Sequence, residues 1–327
     1  MKTIAIRCGL AAAFLSAAFA ARACDLCAVY TAGMAHGETS GWYAGLFEQV
    51  TRYDELRDEG HVIHDDSGQY LDSSITQLFV GYGATDRLSL QLNIPYIDRR
   101  FRRPADGGIE HGTVSGFGDV TALAQYTLLR HDDEDETWVW RALGGIKFGT
   151  GDSDRLTEEL DEGGDAAVPK HGGHDDGAIS GIHGHDLALG SGSTDFLVGT
   201  SGFYRSGRWY GEADLQYAIR RTGDFHYRFG NDLQWVLSGG RYLVLEHDHT
   251  MSLQLNLSGE DKDYDEVAGV RADDTQSRVL FLGPQMGFTF GPRWSLELRA
   301  DFPVHIENSS IQTTVGWRGQ AALVAKF

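Results

Sequence analysis

Basic residues are scarce in this sequence, and long apolar runs are almost absent. Lys and Arg number 28 against 47 Asp and Glu, which gives a formal net charge of −19 at pH 7. A nucleic-acid-binding face needs clustered Lys and Arg, so we expect no nucleic-acid partner. Beyond residue 23, no apolar run is long enough to cross a membrane as a helix.

The first 23 residues have the three parts of a secretory signal peptide. They begin with a basic stretch that contains Lys2 and Arg7 and continue with an apolar core over residues 9–20. A small-x-small cleavage site follows at residues 21–23. We therefore predict that residues 1–23 are a signal peptide and that the protein is exported.

Cysteines number only 3, and cleavage at this site leaves two of them, Cys24 and Cys27. Both belong to a predicted periplasmic segment over residues 24–40. A Cys-x-x-Cys pair in an exported protein forms a small disulfide or is held for the export machinery, and we favour this interpretation. The alternative is redox or metal chemistry with a periplasmic redox partner. No second cysteine pair exists to complete a zinc site, and Arg22 disfavours lipidation of Cys24.

Alternation of apolar and polar residues is the main pattern in the rest of the chain. In WYGEADLQYAIR, residues 209–220, the odd positions are apolar or neutral and the even positions are mostly polar or charged. The stretch MSLQLNLS, residues 251–258, alternates in the same way. A period of two residues predicts β-strands and not helices. Twelve such segments are predicted, over residues 41–52, 74–84, 86–98, 117–130, 137–149, 193–206, 208–221, 230–245, 250–261, 277–291, 293–304 and 312–327.

The connections between these segments alternate between short and long. Short turns such as ATDR and RSGR follow the second and sixth strands, whereas long polar connections follow the first, third and fifth. This layout is typical of an outer-membrane barrel with short periplasmic turns and long extracellular loops. We therefore predict an all-β fold, a single antiparallel transmembrane β-barrel of about 12 strands over residues 41–327. A secreted β-sandwich is the alternative, and the long strands disfavour it.

Two features predict contacts with the surroundings of such a barrel. The chain ends in Phe327 on the apolar register of its last strand, which matches the usual signal for the barrel assembly machinery. The loop sequences RYDELRDEGHVIHDD and GEDKDYDEVAGVRADD are rich in carboxylates. They could concentrate cations at the channel mouth or bind divalent ions that bridge to lipopolysaccharide. A solvated loop face is the simpler interpretation, and we favour it.

The charged face of each predicted strand is expected to line the lumen, while outer-membrane lipid covers the apolar face. Inward charges must be hydrated or paired, because isolated burial is costly. They would either form an ionic ladder that screens solutes or pair to fill the lumen, and both alternatives stay open. The third long loop, residues 150–192, is long enough to fold inward and constrict the channel. The predicted lumen-lining charges are Arg141, Lys147, Glu212, Asp214, Arg220, Glu297, Arg299, Asp301 and Arg318.

Three phrases carry a family resemblance: SGFGDVTALAQYTLL at residues 115–129, GGIKFGTGDSDRL at residues 144–156, and LALGSGSTDFLVGTSGFY at residues 187–204. Together with LSLQLNIPYI, they resemble the Gram-negative outer-membrane proteins named for the MetA pathway of phenol degradation. The family's Gly-Asp strand start corresponds to Gly118-Asp119, and its Gly-x-Gly-Ser-x-Asp phrase corresponds to residues 190–195. The resemblance covers most of the mature chain. It implies an outer-membrane barrel that transports a small-molecule solute.

The third long loop is rich in histidine, with the sequence KHGGHDDGAISGIHGHDLALG over residues 170–190. His and carboxylate side chains at such short separations can bind Zn, Cu or Ni. We favour the alternative of a solvated surface loop with incidental histidines, because no spacing fixes a coordination geometry. No cofactor is required, and a divalent metal within residues 171–186 is the alternative. The candidate ligands are His171, His174, His183 and His185.

These observations predict a porin-like outer-membrane channel for passive passage of a small solute through a charged lumen. The alternative is a metal- or redox-linked surface protein that uses the His-rich loop and the N-terminal cysteine pair. An enzyme is not expected, because no nucleophile motif such as Gly-x-Ser-x-Gly occurs in the sequence.

Overall fold

The computed structural model describes residues 41–105, 108–163 and 179–327, without the side chains of residues 161–163. The predicted signal peptide and the segment with Cys24 and Cys27 therefore lie outside the described residues. His171 and His174 also lie outside them. Within the described part of the chain, no helix has the length and apolar character needed to span a membrane.

Twelve antiparallel strands form one closed barrel, which confirms the predicted fold class. Successive strands pair along the sheet, and the last strand pairs with the first, with Tyr43 opposite Lys326 and Arg57 opposite Gln312. The strands are β1 (Gly41–Asp58), β2 (Tyr70–Gly83), β3 (Leu88–Ala105), β4 (Thr121–Asp132), β5 (Glu136–Lys147), β6 (Asp195–Ser206), β7 (Trp209–Ile219), β8 (Asp232–Leu245), β9 (His249–Lys262), β10 (Ser277–Phe290), β11 (Trp294–Asn308) and β12 (Gln312–Lys326).

Side chains alternate between the outside and the inside of this wall. In β2, Leu71, Ile75 and Phe79 point inward and are buried, whereas Leu78 and Val80 point outward and are 46% and 39% exposed. Such exposure of large apolar side chains suits a surface that hydrocarbon covers. The alternation therefore places the apolar face against lipid.

The interior of the barrel is largely polar. Gln49, Asn93 and Asn256, on three different strands, all point inward and are at most 2% exposed. Gln91 donates to Asn93 at 2.6 Å, and Asn256 donates to Gln285 at 3.1 Å. Inward amides thus satisfy one another within the lumen, as buried polar groups must.

The short turns and both ends of the barrel lie at the same rim. Phe327 donates its backbone N–H to the carbonyl of Trp42 at 2.9 Å, so the end of β12 lies beside the start of β1. Trp42, Trp209 and Trp294 flank this rim and are at least half exposed. Aromatic residues in such positions suit the lipid–water interface. In the predicted orientation this is the periplasmic rim.

Two connections that the alternation predicts as loops contain further β-structure. Strand β1 continues to Asp58 and pairs with the short strand His61–Val62, and β3 continues to Ala105 and pairs with Gly108–Phe117. The predicted ends of both strands were therefore wrong. Above the membrane both faces of a hairpin can meet water, so runs such as DRRFRR at residues 98–103 need no apolar face.

The described parts of the third long loop, residues 148–163 and 179–194, fold into the extracellular half of the barrel. The first part contains a 3-10 turn over Asp154–Leu156 and helix α1 (Thr157–Gly163), and the last part contains helix α2 (Gly184–Leu187). We call residues 179–194 the plug segment. Ile182 and Leu187 of this segment are at most 2% exposed.

Apolar contacts hold the plug segment against the barrel wall. Ile182 and Leu187 pack on Leu71 and Phe101, and a second cluster joins Leu189 to Ile75 and Ile97. Each side chain of this size gains about 1.5–3 kcal/mol on full burial. The plug segment therefore lies inside the extracellular half of the lumen.

Two further loops close over the plug segment. Tyr227 and Phe229 pack with Leu156 and Ala188 in one buried cluster. Residues of these loops form a small three-stranded sheet from Tyr227–Arg228, Asp265–Val267 and Val270–Ala272. The plug segment is thus covered from outside as well as packed against the wall.

A substitution on the lipid face tests the orientation of the wall. Leu255 lies at the middle of β9 and is 53% exposed. We expect Leu255→Arg to lower the free energy of unfolding by about 2–4 kcal/mol, as for an arginine at mid-bilayer depth. Urea titration of the barrel refolded into lipid vesicles, followed by tryptophan fluorescence, measures this loss. The matched control, Leu255→Met, should cost less than about 1.5 kcal/mol. Equal costs for the two substitutions would contradict the lipid-facing assignment.

Candidate functional site

A buried carboxylate, Asp119, holds the two ends of the third loop together directly before β4. Its Oδ1 accepts the N–H of Gly151 at 2.9 Å and of Thr150 at 3.1 Å. Its Oδ2 accepts the N–H and the hydroxyl of Ser191 at 3.0 and 2.8 Å, and Nζ of Lys147 lies 2.5 Å away. Burial alone would raise the pKa of Asp119. Lys147 and the hydrogen bonds outweigh burial, so the pKa lies below its ordinary value.

A second carboxylate, Asp195, opens β6 and extends this network. Its Oδ2 lies 2.9 Å from Nζ of Lys147 and 3.0 Å from Nη1 of Arg220. Its Oδ1 accepts the hydroxyl of Ser193 at 2.7 Å, and Arg220 also pairs with Asp232 at 2.5 Å. Removing one partner from such a buried group leaves an uncompensated charge. We call Asp119, Lys147, Ser191, Asp195 and Arg220 the latch.

Glycines allow the two ends of the loop to touch at the latch. A Cβ on Gly149 would lie 2.5 Å from the carbonyl carbon of Gly192, and a Cβ on Gly190 would lie 2.5 Å from that of Gly151. Gly192 also has a φ of +63°, in the left-handed region that favours glycine. The Gly-rich phrases that carry the family resemblance therefore form the anchor of the plug segment.

Arg99 joins the wall to the plug segment from the opposite side. Its Nη1 donates to the carbonyl oxygens of Asp186 at 2.8 Å and Ala188 at 2.5 Å, at the end of α2, and the residue is 2% exposed. The sequence analysis missed Arg99, because the predicted third strand ended at residue 98. The alternation along this strand could have identified Arg99 as an inward residue, since Arg99 shares the inward face with Asn93 and Ile97.

A buried histidine connects α1 to α2. The backbone N–H of His185 donates to Oε1 of Glu159 at 2.7 Å, and its Nδ1 lies 2.9 Å from the same oxygen. Nε2 lies 3.5 Å from Oδ1 of Asp186. The imidazole ring stacks on Tyr227 with a centroid distance of 6.2 Å. His185 is thus enclosed by two carboxylates and an aromatic ring.

The charges around His185 define its protonation. Burial alone would lower the pKa of His185, but Asp186 and Glu159 outweigh burial and raise it to about 10. Burial alone would raise the pKa of Glu159, but His185 outweighs it and lowers the pKa to about 2. At neutral pH the two side chains therefore form a buried ion pair.

His183 lies beside this ion pair. Its ring stacks on that of His185 with a centroid distance of 5.5 Å. One ligand atom from each of His183, His185 and Asp186 lies within 4.8 Å of the others. Of the four predicted metal ligands, the structure brings together His183 and His185, and the other two lie outside the described residues.

On the periplasmic side of the plug segment, the lumen contains a cavity of about 210 Å³. Three carboxylates line it, and we call Glu212, Asp214 and Glu297 the acidic trio. Amide side chains make up most of the remaining polar lining: Gln49, Gln216, Gln234, Gln254, Asn256, Gln285 and Gln320.

The basic side chains that line this cavity are paired with other carboxylates. Nε of Arg299 lies 2.8 Å from Oδ1 of Asp301, and Nε of Arg318 lies 3.4 Å from its Oδ2. Arg318 also pairs with Glu260. Among the described residues, no Lys or Arg nitrogen lies within 4.0 Å of a carboxylate oxygen of the acidic trio. The cavity lining therefore has an excess of carboxyl groups over basic groups.

Arg141 reduces this excess from a distance. The residue is 5% exposed, and its Nε has no hydrogen-bond partner among the described residues. In the register, Arg141 lies opposite Ser201, which lies opposite Asp214. Its charge interacts with those of Asp214 and Glu212 across this row of the barrel. Arg299 also interacts with all three carboxyl groups of the acidic trio, although its closest contact is with Asp301.

The nine predicted lumen charges divide between two regions of the interior. Lys147 and Arg220 belong to the latch and line a cavity of about 60 Å³ against the plug segment. Five of the others line the larger cavity on the periplasmic side: Glu212, Asp214, Glu297, Arg299 and Arg318. Asp301 pairs with two of these residues, and the charge of Arg141 interacts with those of Asp214 and Glu212. The predicted set therefore mixes residues that hold the plug segment with residues that face solute space.

The fold and this interior define a twelve-stranded barrel of the outer-membrane type, with the plug segment inside it. Residues 183–318 match the family model described as "Putative MetA-pathway of phenol degradation". This match agrees with the family resemblance that the sequence motifs carry.

Solved structures agree with the fold. An outer membrane channel from Pseudomonas putida F1 is similar with a TM-score of 0.62 and 16% identity, over 92% of this chain and 100% of that chain. The β-domain of the Bordetella autotransporter BrkA has a TM-score of 0.44 and 12% identity, over 88% of this chain and 99% of that chain. The similarity to the Pseudomonas putida channel supports the barrel architecture. No curated protein sequence matches the chain.

Removal of the central carboxylate tests the latch. Asp119→Ala leaves Lys147 with one carboxylate fewer and the N–H groups of Gly151 and Ser191 without their acceptor. Loss of one partner from a buried ion pair costs about 3–5 kcal/mol. We therefore expect faster amide hydrogen exchange over residues 187–193, measured by mass spectrometry on the refolded barrel.

The matched control for this experiment is Asp135→Ala, which removes an exposed carboxylate from the turn at the opposite rim. It should leave exchange over residues 187–193 unchanged. If Asp119→Ala also left that exchange unchanged, the plug segment would not depend on the latch.

Proposed function

We propose that this protein is an outer-membrane channel through which a small solute passes passively, along a charged lumen that the plug segment narrows. In this proposal the predicted signal peptide over residues 1–23 directs export, and residues 24–40 lie in the periplasm. Residues 41–327 form the membrane-embedded part. The channel class is supported by the barrel, and the charged path is supported by the interior described above.

The acidic trio is the observation that carries this proposal. Glu212, Asp214 and Glu297 line a cavity of about 210 Å³, and the basic side chains beside them are paired elsewhere. Carboxylates that face a confined aqueous space attract cations and repel anions. The low-dielectric barrel wall strengthens this effect, since it focuses the field within the lumen. The lumen should therefore prefer cations to anions.

The lining also favours a polar solute over an apolar one. A hydrocarbon would displace water from the carboxylates and amides without replacing its hydrogen bonds, which costs free energy. A small cation, or a solute rich in hydrogen-bond donors, would replace them. We therefore propose a polar solute that is cationic or rich in donors.

Passage requires the plug segment to move away from the wall. The third loop, which contains the plug segment, joins the adjacent strands β5 and β6, so displacement of the segment leaves the strand pairing intact. The restraint on the segment comes from the latch, from Arg99 and from apolar contacts. In this proposal these groups determine how often the channel opens.

Neutralising the acidic trio tests the charged lumen. We expect the variant with Glu212→Gln, Asp214→Asn and Glu297→Gln to lose at least fivefold in cation-to-anion permeability ratio. That loss corresponds to roughly 1 kcal/mol, the interaction of two charges 4 Å apart in water. The reversal potential in a planar bilayer under a KCl gradient measures the ratio.

A matched control removes three charges from the exposed periplasmic turn, through Asp133→Asn, Glu134→Gln and Asp135→Asn. It should change the ratio far less, because salt screens exposed charges beyond a distance of about 10 Å at 0.1 M. A barrel of verified fold that never conducts would contradict the channel. An unchanged ratio in the acidic-trio variant would contradict the charged lumen.

Two adjacent arginines offer a second test, of the plug segment as the gate. Arg99→Ala removes the donor to Asp186 and Ala188, so we expect a larger or more frequently open conductance. Arg100→Ala is the control, because the Arg100 side chain points outward and is 71% exposed. Single-channel recording compares the two variants with the native chain. Equal conductance in all three proteins would show that Arg99 does not restrain the gate.

The alternative function, a metal- or redox-linked surface protein, depends in part on Cys24, Cys27, His171 and His174, which lie outside the described residues. The redox part of that hypothesis stays a prediction. Recognition of Phe327 by the assembly machinery and contact with lipopolysaccharide also stay predictions.

A further inference from the structure

We propose that His183, His185 and Asp186 form a binding site for one divalent transition-metal ion, with Zn²⁺ as the best match, inside the plug segment. This inference goes beyond the proposed channel function and does not depend on it. The sequence suggested four histidines without a geometry. The structure describes two of them, His183 and His185, and places carboxylates beside them.

The three side chains already converge on one point. One ligand atom from each lies within 4.8 Å of the others. Zinc bonds to imidazole nitrogen and carboxylate oxygen measure about 2.0–2.2 Å, so the ligand atoms of one ion lie roughly 3–4 Å apart. A side-chain shift on the order of 1 Å brings these three atoms to that spacing.

His185 has the orientation of a metal-binding histidine. Its Nδ1 lies 2.9 Å from Oε1 of Glu159, and its Nε2 faces Oδ1 of Asp186 at 3.5 Å. A histidine that binds a metal usually donates its other ring N–H to a carboxylate, which fixes the ring. Glu159 plays this part here. The ion would bind between Nε2 of His185 and Oδ1 of Asp186, and the proton on Nε2 would be released to solvent.

His183 supplies the second nitrogen. Its Nδ1 is buried and has no hydrogen-bond partner among the described residues. A buried polar atom left in this way costs about 1–3 kcal/mol. The backbone N–H of His183 donates to Oδ2 of Asp186 at 2.9 Å, which keeps the two residues adjacent. A bound ion would give Nδ1 of His183 a partner. The hydrogen bond from the backbone N–H of His183 to Asp186 would stay intact.

The donor set and the local charge select the kind of ion. Two imidazoles and one carboxylate suit Zn²⁺, Ni²⁺, Cu²⁺ or Co²⁺, whereas Ca²⁺ and Mg²⁺ prefer oxygen ligands alone. Glu159 and Asp186 place two negative charges around the site. The nearest cation with a charge interaction, Lys262, is paired with Asp265 at 2.7 Å. A dication therefore meets a negative environment, and water completes its coordination.

Isothermal titration of ZnCl₂ into the refolded full chain without an affinity tag tests the site. We expect one zinc ion per barrel. His183→Ala should weaken zinc binding by at least tenfold, because it removes one of three ligands but breaks no side-chain hydrogen bond of the described residues. Glu159→Gln should weaken it by roughly 10–100-fold, as for other carboxylates that orient a metal-binding histidine. His305→Ala is the matched control, since His305 lies 3.0 Å from Glu307 in an exposed pair on the outside of β11.

Hydrogen exchange locates the ion independently of affinity. Zinc should slow amide exchange over residues 182–188 in the native chain and not in His183→Ala. Retained heat-modifiable mobility on gels shows that each variant is a folded barrel. Zinc binding that survives His183→Ala but is lost in the double variant His171→Ala/His174→Ala would overturn the site. No binding by the native chain, or binding without slower exchange over residues 182–188, would overturn it as well.

Discussion

The hydrogen-bond ladder between β1 and β12 is the constraint on which the rest of the structure depends. In hydrocarbon each unpaired backbone group costs several kcal/mol, so the sheet must close on itself. Closure creates an interior, and every inward side chain must then find water or a partner within it. Gln49, Asn93 and Asn256 find other amides, the basic residues near Asp301 find carboxylates, and the acidic trio faces the cavity. The lumen is therefore polar because the wall is closed and its apolar face already lies against lipid.

The plug segment lies where the inward residues of the strands change from polar to apolar. Near the periplasmic side the inward residues of β1 to β3 are mostly polar, as at Gln49 and Gln91. Toward the extracellular side, Leu71, Ile75 and Phe101 take these places, and they need an apolar cover. The plug segment supplies it with Ile182, Leu187 and Leu189. The latch adds directional contacts, which fix the segment at one depth in the barrel.

The sequence was sufficient to predict the barrel, but it was not sufficient to predict the contacts of the plug segment. A period of two residues reports which face meets lipid, so strand number, order and register could be predicted. The same signal fades where the outward face meets water and the inward face carries a charged residue, which hid the upper end of β3 and with it Arg99. The latch could not be predicted, because Asp119 and Ser191 are 72 residues apart and meet only through tertiary packing. Lys147 and Arg220 could be assigned to the interior by register, but only the fold separates them from the residues around the cavity.

The contact between Gly149 and Gly192 has a consequence for how such barrels diversify. Because the third loop starts and finishes at one point above β5 and β6, it is an Ω-like unit with adjacent ends. Lengthening or exchanging a unit of this kind costs little chain entropy and leaves the strand register untouched. The third loop can therefore be exchanged as one unit. One barrel could acquire new permeability properties by recombination at Gly149 and Gly192. The strands that form the membrane wall would evolve independently of that exchange.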